Sequence, residues 1–164
     1  MKFEGELPKI PDNLIRFDKK KFDNGHWKFP EQMGSKEYVG FIYLIRDNYL
    51  GRFYLGKKAY RGSRGKNEGK ESDWRHYVSS SKLLKEMWKE RPIEEFEFIT
   101  LEQYRTKGTL SYAETWTLCF VEAPTSVTWY NKLIPKVAWS VKEPISNRHK
   151  ERLDAMIRMK PNDE

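Results

Sequence analysis

Apolar and polar positions along the chain change period several times, and each change marks an element. Val39 to Arg46 is rich in β-branched and aromatic residues, Asp47 to Gly51 supplies turn chemistry, and Arg52 to Gly56 is a second short extended run. Two such runs around a turn predict a β-hairpin. Between Ser81 and Glu90, Leu83, Leu84, Met87 and Trp88 follow the i, i+3, i+4 spacing of an amphipathic helix. Ser79 or Ser80 could cap it, and Pro92 follows its end. Phe96, Phe98 and Thr100 then alternate with Glu97, Ile99 and Leu101, a third strand of which neither face is cleanly polar.

Helical spacing returns from Leu110 to Glu122, where Tyr112, Trp116, Cys119 and Phe120 form one apolar stripe. Thr109 or Ser111 is the candidate cap, and Pro124 lies beyond the end. Pro135 and Pro144 bracket a linker, and Asn147 to Lys160 reads as a charged helix with Leu153, Met156 and Ile157 on one side. The stretch Lys57 to Asp73 has three glycines and no periodicity, so a basic loop is expected there.

The expected architecture is therefore α/β in the α+β sense: a small three-stranded antiparallel sheet flanked by helices. It divides into an N-terminal arm (1–37), a core (38–133) and a C-terminal linker with a charged helix (134–164). Within the arm, Lys19-Lys20-Lys21 precedes a turn signal at Asp23-Asn24-Gly25, and Trp27 and Phe29 could pin it to the core.

Composition narrows the classes. The 164 residues suit one domain, and 38% hydrophobic with 15% aromatic residues is enough for a real core, which argues against wholesale disorder. A mean hydropathy of −0.87 implies a very polar surface. The net charge of +7 is uneven: Lys57 to Arg91 holds 11 basic and 5 acidic side chains. Such a field suits a polyanion, because phosphate contacts release counterions, although a solvated lysine-rich face would look the same. The one cysteine, Cys119, excludes an intramolecular disulfide and a cysteine-rich zinc site, and is expected to be a small buried hydrophobe. His26, His76 and His149 form no ligand motif. With no signal-peptide pattern and no long apolar run, a cytoplasmic protein without a membrane segment is expected.

Cutting a phosphodiester requires an activated water, neutralisation of charge on the phosphoryl group and a stabilised leaving oxygen. A carboxylate-held metal and a fixed arginine can meet much of this demand. The chain offers tyrosines on a hairpin, arginines in a basic loop and one glutamate, Glu114, inside an otherwise apolar helix. Glu114 falls roughly opposite the aromatic stripe at ~3.6 residues per turn. A carboxylate there is either solvated or held near a cleft by a partner, since unpaired burial is costly.

Phe41-Ile42-Tyr43 followed by Tyr54-Leu55-Gly56 resembles the paired signature of the GIY-YIG nucleases, with Phe41 in place of the usual Gly and Leu55 in place of Ile. Glu114 in Ser111-Tyr112-Ala113-Glu114 and Asn131 in Trp129-Tyr130-Asn131 match the family's later motifs in order. The stretch Trp74 to Lys82 is similar to phage-encoded members that resemble homing endonucleases. The resemblance covers residues 39–133 and implies a DNA endonuclease dependent on Mg²⁺ or Mn²⁺, with Glu114 as metal ligand. Tyr43 would be general base or water-positioner, and Tyr54 would orient it or contact phosphate. Arg75 would bind the scissile phosphate, with Arg64 or Arg61 as alternatives. His76 would help to position water, and Asn131 would tie the site together by hydrogen bonding. Lys57, Lys58, Arg61 and Arg64 are the candidate DNA contacts, and the helix with Arg148, Lys150, Arg152 and Arg158 would pack or add to them. Little chain follows the core, so the enzyme would either cut with low specificity or rely on a partner protein for targeting. The alternatives are a non-catalytic DNA-binding protein on a degenerate nuclease scaffold, and a small structural or regulatory protein with an incidental basic face.

Overall fold

The hairpin is the centre of the molecule. In the computed structural model, which describes residues 26–28 and 33–157, β2 (Gly40–Asp47) and β3 (Arg52–Ala59) pair antiparallel from Gly40 opposite Ala59 to Asp47 opposite Arg52. Asp47 closes the turn by accepting the Tyr49 and Leu50 N–H groups, each at 3.0 Å, and Gly51 supplies the positive φ of +65° that the reversal needs. β4 (Phe96–Tyr104) pairs antiparallel with the other side of β2. Its register slips beside Tyr43, so that Ile42 faces Glu102 and Tyr43 faces Thr100. The Thr100 and Leu101 carbonyls at this bulge accept from Arg152 Nη1 at 2.9 and 3.4 Å.

The sheet has four strands in the order β1-β4-β2-β3, not three. The extra strand, β1 (Trp27–Lys28), pairs parallel with β4 and comes from the segment expected to be an arm. Two residues are too few to carry a period-2 signal, so only the burial of Trp27 marks them. Lys19-Lys20-Lys21, Asp23-Asn24-Gly25, Phe29 and Arg158 lie outside the described residues.

Both faces of the sheet are covered, which explains why β4 lacked a polar face. On one face Ile42, Leu44, Leu55, Ile99 and Leu101 pack under α2 (Lys107–Phe120) and α3 (Asn147–Ile157). On the other, Phe41, Tyr43, Ile45, Phe96 and Phe98 meet Trp27, Tyr60, Trp74 and Leu84, the last from α1 (Lys82–Glu90). The caps differ from expectation. Ser81, rather than Ser79 or Ser80, accepts the Leu84 N–H at 3.3 Å, and Thr106, rather than Thr109 or Ser111, accepts the Thr109 N–H at 3.2 Å.

Helix α2 is rotated relative to its aromatic stripe. It buries Leu110, Ala113, Glu114, Thr117 and Leu118, whereas Cys119 is exposed and Phe120 is 62% exposed. The cause is α3. Its fully buried His149 bonds Tyr104 Oη through Nδ1 at 2.9 Å and Thr117 Oγ1 through Nε2 at 2.8 Å, which requires Thr117 to face inward. Trp116 is left beside His149, stacked on Phe120 at 5.0 Å, with Lys150 over its ring. Arg152, Lys150 and His149 thus make α3 a packing element. Among the described residues no helix is long and apolar enough to cross a membrane.

Candidate active site at the edge of β3

Strand β3 lies at the sheet's edge, so alternate backbone groups along it need partners from outside the sheet. Phe53 N–H donates to Thr128 O at 2.8 Å, and Tyr130 N–H donates to Phe53 O at 2.7 Å. Two residues on, the Asn131 side chain takes over. Its Oδ1 accepts the Leu55 N–H and its Nδ2 donates to Leu55 O, both at 2.8 Å. Two residues further, the Lys57 N–H is near enough to the Glu114 carboxylate to favour its charged form. Asn131 clasps the edge of β3, and Glu114 stands beside the next outward-facing position.

Glu114 is 8% exposed. Burial raises its pKa above the ordinary carboxylate value, and the Lys57 ammonium and backbone N–H offset this in part. Lys57 Nζ lies 3.7 Å from Glu114 Oε1 and donates to Ser111 Oγ at 2.9 Å. Lys58 points to the opposite face, as neighbours in a strand must. There it sits 4.1 Å from the Tyr77 ring centre and bonds Asp73 at 2.6 Å. Lys58 is also the main reason that Asp73 titrates below its ordinary value.

The tyrosines gather on that second face. Tyr43 is 1% exposed, and its hydroxyl donates to Ser79 Oγ at 3.4 Å. Its ring crosses β3 at Gly56, where a Cβ would overlap the hydroxyl, so the glycine of the second motif is a packing requirement. Tyr77 and Tyr54 lie 5.8 and 6.4 Å away, centre to centre. Burial, reinforced by those two rings, pushes the Tyr43 hydroxyl well above its usual pKa. Burial also raises Tyr54, with the nearby Glu114 charge adding to it. Both are neutral hydroxyls at physiological pH, suited to orienting a water rather than acting as phenolates.

Ser79 is the site residue that sequence reasoning missed, having been considered only as a helix cap. It is 2% exposed and has φ +140°, which a side chain rarely adopts. Its Oγ accepts from Ser81 N–H at 3.0 Å as well as from Tyr43. Sequence carries no signal for such a backbone angle beyond the run of three serines.

The expected basic loop is a small flap, closed by bridges between Arg61 and Glu71 and between Gly62 and Glu68. Arg61 donates to Gly34 O at 3.0 Å, and Arg64 is exposed ahead of a short turn at Gly65–Asn67. Arg75 lies over the Trp74 ring at 4.5 Å and pairs with Glu71 at 3.2 Å, and His76 is exposed in the same turn. These contacts join neither Arg61 nor Arg75 to Glu114 or the tyrosines. The structure therefore sets Lys57, Glu114 and Asn131 along the edge of β3, and gathers Tyr43, Tyr54 and Lys58 on the opposite face, with Tyr54 within electrostatic reach of Glu114. It holds Arg61 and Arg64 in the flap, and Arg75 and His76 in the turn at Trp74–His76 that follows it. Among the described residues, no group of three or more His, Cys, Asp or Glu is gathered to hold a metal.

A family model described as "Putative endonuclease segE, GIY-YIG domain" matches residues 24–134. The match begins ahead of β1 and ends after Asn131, so it spans the whole sheet and every residue of the site. No curated protein and no solved structure matches the chain.

Proposed function

The chain belongs to the GIY-YIG nuclease family, and from that premise we propose that it hydrolyses DNA phosphodiester bonds at the end of β3, with a divalent cation held by Glu114. The observation that carries this reading is the placement of Glu114: a buried carboxylate on the same strand edge as Asn131, within electrostatic reach of Tyr54. One carboxylate is a sufficient protein ligand for Mg²⁺, which keeps several waters and takes further oxygens from substrate phosphates. The donor set fits that ion and not Zn²⁺. When bound, the cation would neutralise charge on the phosphoryl group and the leaving oxygen.

The remaining roles fall to the chain's own groups. Tyr43 and Tyr54, neutral and ordered around Ser79, orient the attacking water. Lys58 and the flap arginines meet the phosphate backbone. Arg75 is the best candidate for the scissile phosphate, because its present partner is an exposed Glu71 and such pairs are worth only about 0.2–1 kcal/mol. Arg61 is tied to a backbone carbonyl, which makes it the weaker choice, and Arg64 stands second. His76, exposed next to Arg75, contacts DNA in this reading rather than positioning the water.

The reading of a degenerate, non-catalytic scaffold would draw on Phe41. That side chain is fully buried against Trp27 at 5.0 Å and Tyr60 at 5.2 Å, so the departure is absorbed by the aromatic layer and leaves the strand edge unchanged. Incubation of supercoiled plasmid with the protein, with and without Mg²⁺ or Mn²⁺, tests the proposal. Metal-dependent nicking or linearisation is expected. Salt-dependent binding without any cleavage would favour the non-catalytic reading.

A further inference from the structure

Glu114 already has a cation. Lys57 Nζ stands 3.7 Å from its Oε1, and the ammonium is held from the other side by Ser111 Oγ at 2.9 Å, on the same helix one turn earlier. Its position is set by the fold rather than by a wandering side chain. Lys57 continues β3, its own N–H lies near the carboxylate and favours its charge, and Ser111 is itself buried. The Glu114 side chain is only 11% exposed and the Lys57 side chain 37%, so solvent reaches the carboxylate past the lysine.

We propose that Lys57 is a resident counter-ion that competes with the divalent cation for Glu114, so that metal loading requires the ammonium to be displaced. This rests on the reading of Glu114 as the metal ligand. A divalent ion bound directly to a carboxylate lies about 2.0–2.6 Å from its oxygen. An ammonium left at its present distance would then face a second cation in a partly buried site, where charges a few ångströms apart interact several times more strongly than in water. The two cations therefore exclude each other. The exposed part of the Lys57 side chain gives the ammonium a way out into solvent.

The occupancy also keeps the free protein whole. Without Lys57 a buried glutamate would have lost its compensating charge, and with it the site holds an ion pair whether or not metal is present. The arrangement makes weak metal affinity in the absence of DNA a property of this chain.

The test is Mn²⁺ binding to the full chain without DNA, read by electron paramagnetic resonance of the free ion at mildly alkaline pH. Lys57→Met keeps the stem and removes the charge, and Lys57→Gln also keeps a group able to bond Ser111. Glu114→Gln reports on the ligand itself, and a melting curve confirms that each variant is folded. Both lysine variants should bind Mn²⁺ about tenfold or more tightly than the parent, and Glu114→Gln should lose the site. Parent-like or weaker binding in the folded lysine variants, with Glu114→Gln still silent, overturns the competition and leaves the ligand assignment intact. Parent-like binding by Glu114→Gln removes the ligand assignment instead.

Discussion

Two buried carboxylates stand at opposite ends of the hairpin, and they are treated differently. Asp47, at the turn, is fully satisfied. It accepts the Tyr49 and Leu50 N–H groups, both Nη atoms of Arg91 at 2.7 Å, and the Tyr130 hydroxyl at 2.6 Å. Burial alone would raise its pKa, but Arg91 and these donors outweigh it and hold the group below its ordinary value. Glu114, at the far end of β3, has one ammonium at 3.7 Å and a backbone N–H, and burial wins, so its pKa is raised. A carboxylate with every lone pair occupied fastens elements together, here the turn, the residue after α1 and the segment carrying Asn131. A carboxylate left short of donors is less stable in its charged form and has capacity for a ligand.

The sharpest way to break this comparison is to neutralise each acid in turn. Glu114→Gln should lower single-turnover plasmid cleavage in excess Mg²⁺ by at least about 100-fold, the scale on which lost transition-state charge stabilisation is felt. Its melting temperature should hold or rise, because an under-paired buried charge has gone. Asp47→Asn should do the reverse. Removing one partner of a buried, hydrogen-bonded pair costs about 3–5 kcal/mol, and whatever remains folded should still cut. A Glu114→Gln protein that cuts at the parent rate would take the carboxylate out of the mechanism.

The same contrast has a pH signature. Glu114, raised in the folded state, makes folding less favourable as pH climbs from the ordinary carboxylate range through its raised value, because the native state then holds the extra proton. Asp47, lowered in the folded state, contributes stability that is present above its unfolded pKa and lost as pH falls through its folded one. His149 and His26 act on the acid side as well. Each is lowered from 6.5 to about 4, first by burial. Donor counting at His149 agrees: Thr117 Oγ1 donates to Ala113 O, so it must accept from Nε2–H, leaving Nδ1 to accept from Tyr104. That neutral tautomer must be broken on protonation. The two histidines should each remove up to about 3 kcal/mol as pH falls from 6.5 toward 4, by the ~1.36 kcal/mol per pH unit of proton linkage. Melting curves between pH 7 and pH 4 check this, and His149→Asn should flatten about half of the slope. An unchanged slope in that variant would mean His149 is not the residue that titrates.

Local periodicity made the hairpin, α1, β4 and α2 legible, because each is long enough for its apolar pattern to repeat. The motif order led to Tyr43 and Tyr54, which pack on one face of the sheet, and to Glu114 and Asn131, which lie along the edge of β3. What stayed hidden depends on tertiary contacts. The two-residue β1 exists only because β4 offers an open edge. The rotation of α2 was misread because its largest apolar side chains, Trp116 and Phe120, are not its buried ones; His149, over 30 positions away, decides the matter. The pairing of Lys57 with Glu114 follows from β3 running to Ala59 rather than stopping at Gly56, which polar residues at a strand's end do not announce. The arginines remain a choice between flap positions, because a flap is placed by its own bridges rather than by periodicity.

The smallest expected effect concerns Ser79, and it separates strain from chemistry. Ser79→Gly removes a buried hydroxyl that two donors use, at roughly 1 kcal/mol, and adds about 0.5–1 kcal/mol of backbone entropy to lose on folding. It also relieves the φ of +140°, an unfavourable angle costing roughly 1–3 kcal/mol in a residue with a side chain. The terms nearly cancel, so its stability should stay within about 1 kcal/mol of the parent. Ser79→Ala loses the hydroxyl and keeps the angle, so it should be the less stable of the two. Both variants free the Tyr43 hydroxyl, and both should slow single-turnover cleavage by a similar, modest factor even though their stabilities differ. Equal melting temperatures in the two would show that the backbone angle costs no more than the glycine's added entropy, about 0.5–1 kcal/mol. Parent-rate cleavage by both would return Ser79 to a purely structural role, leaving Tyr43 to be ordered by Gly56 and the rings around it.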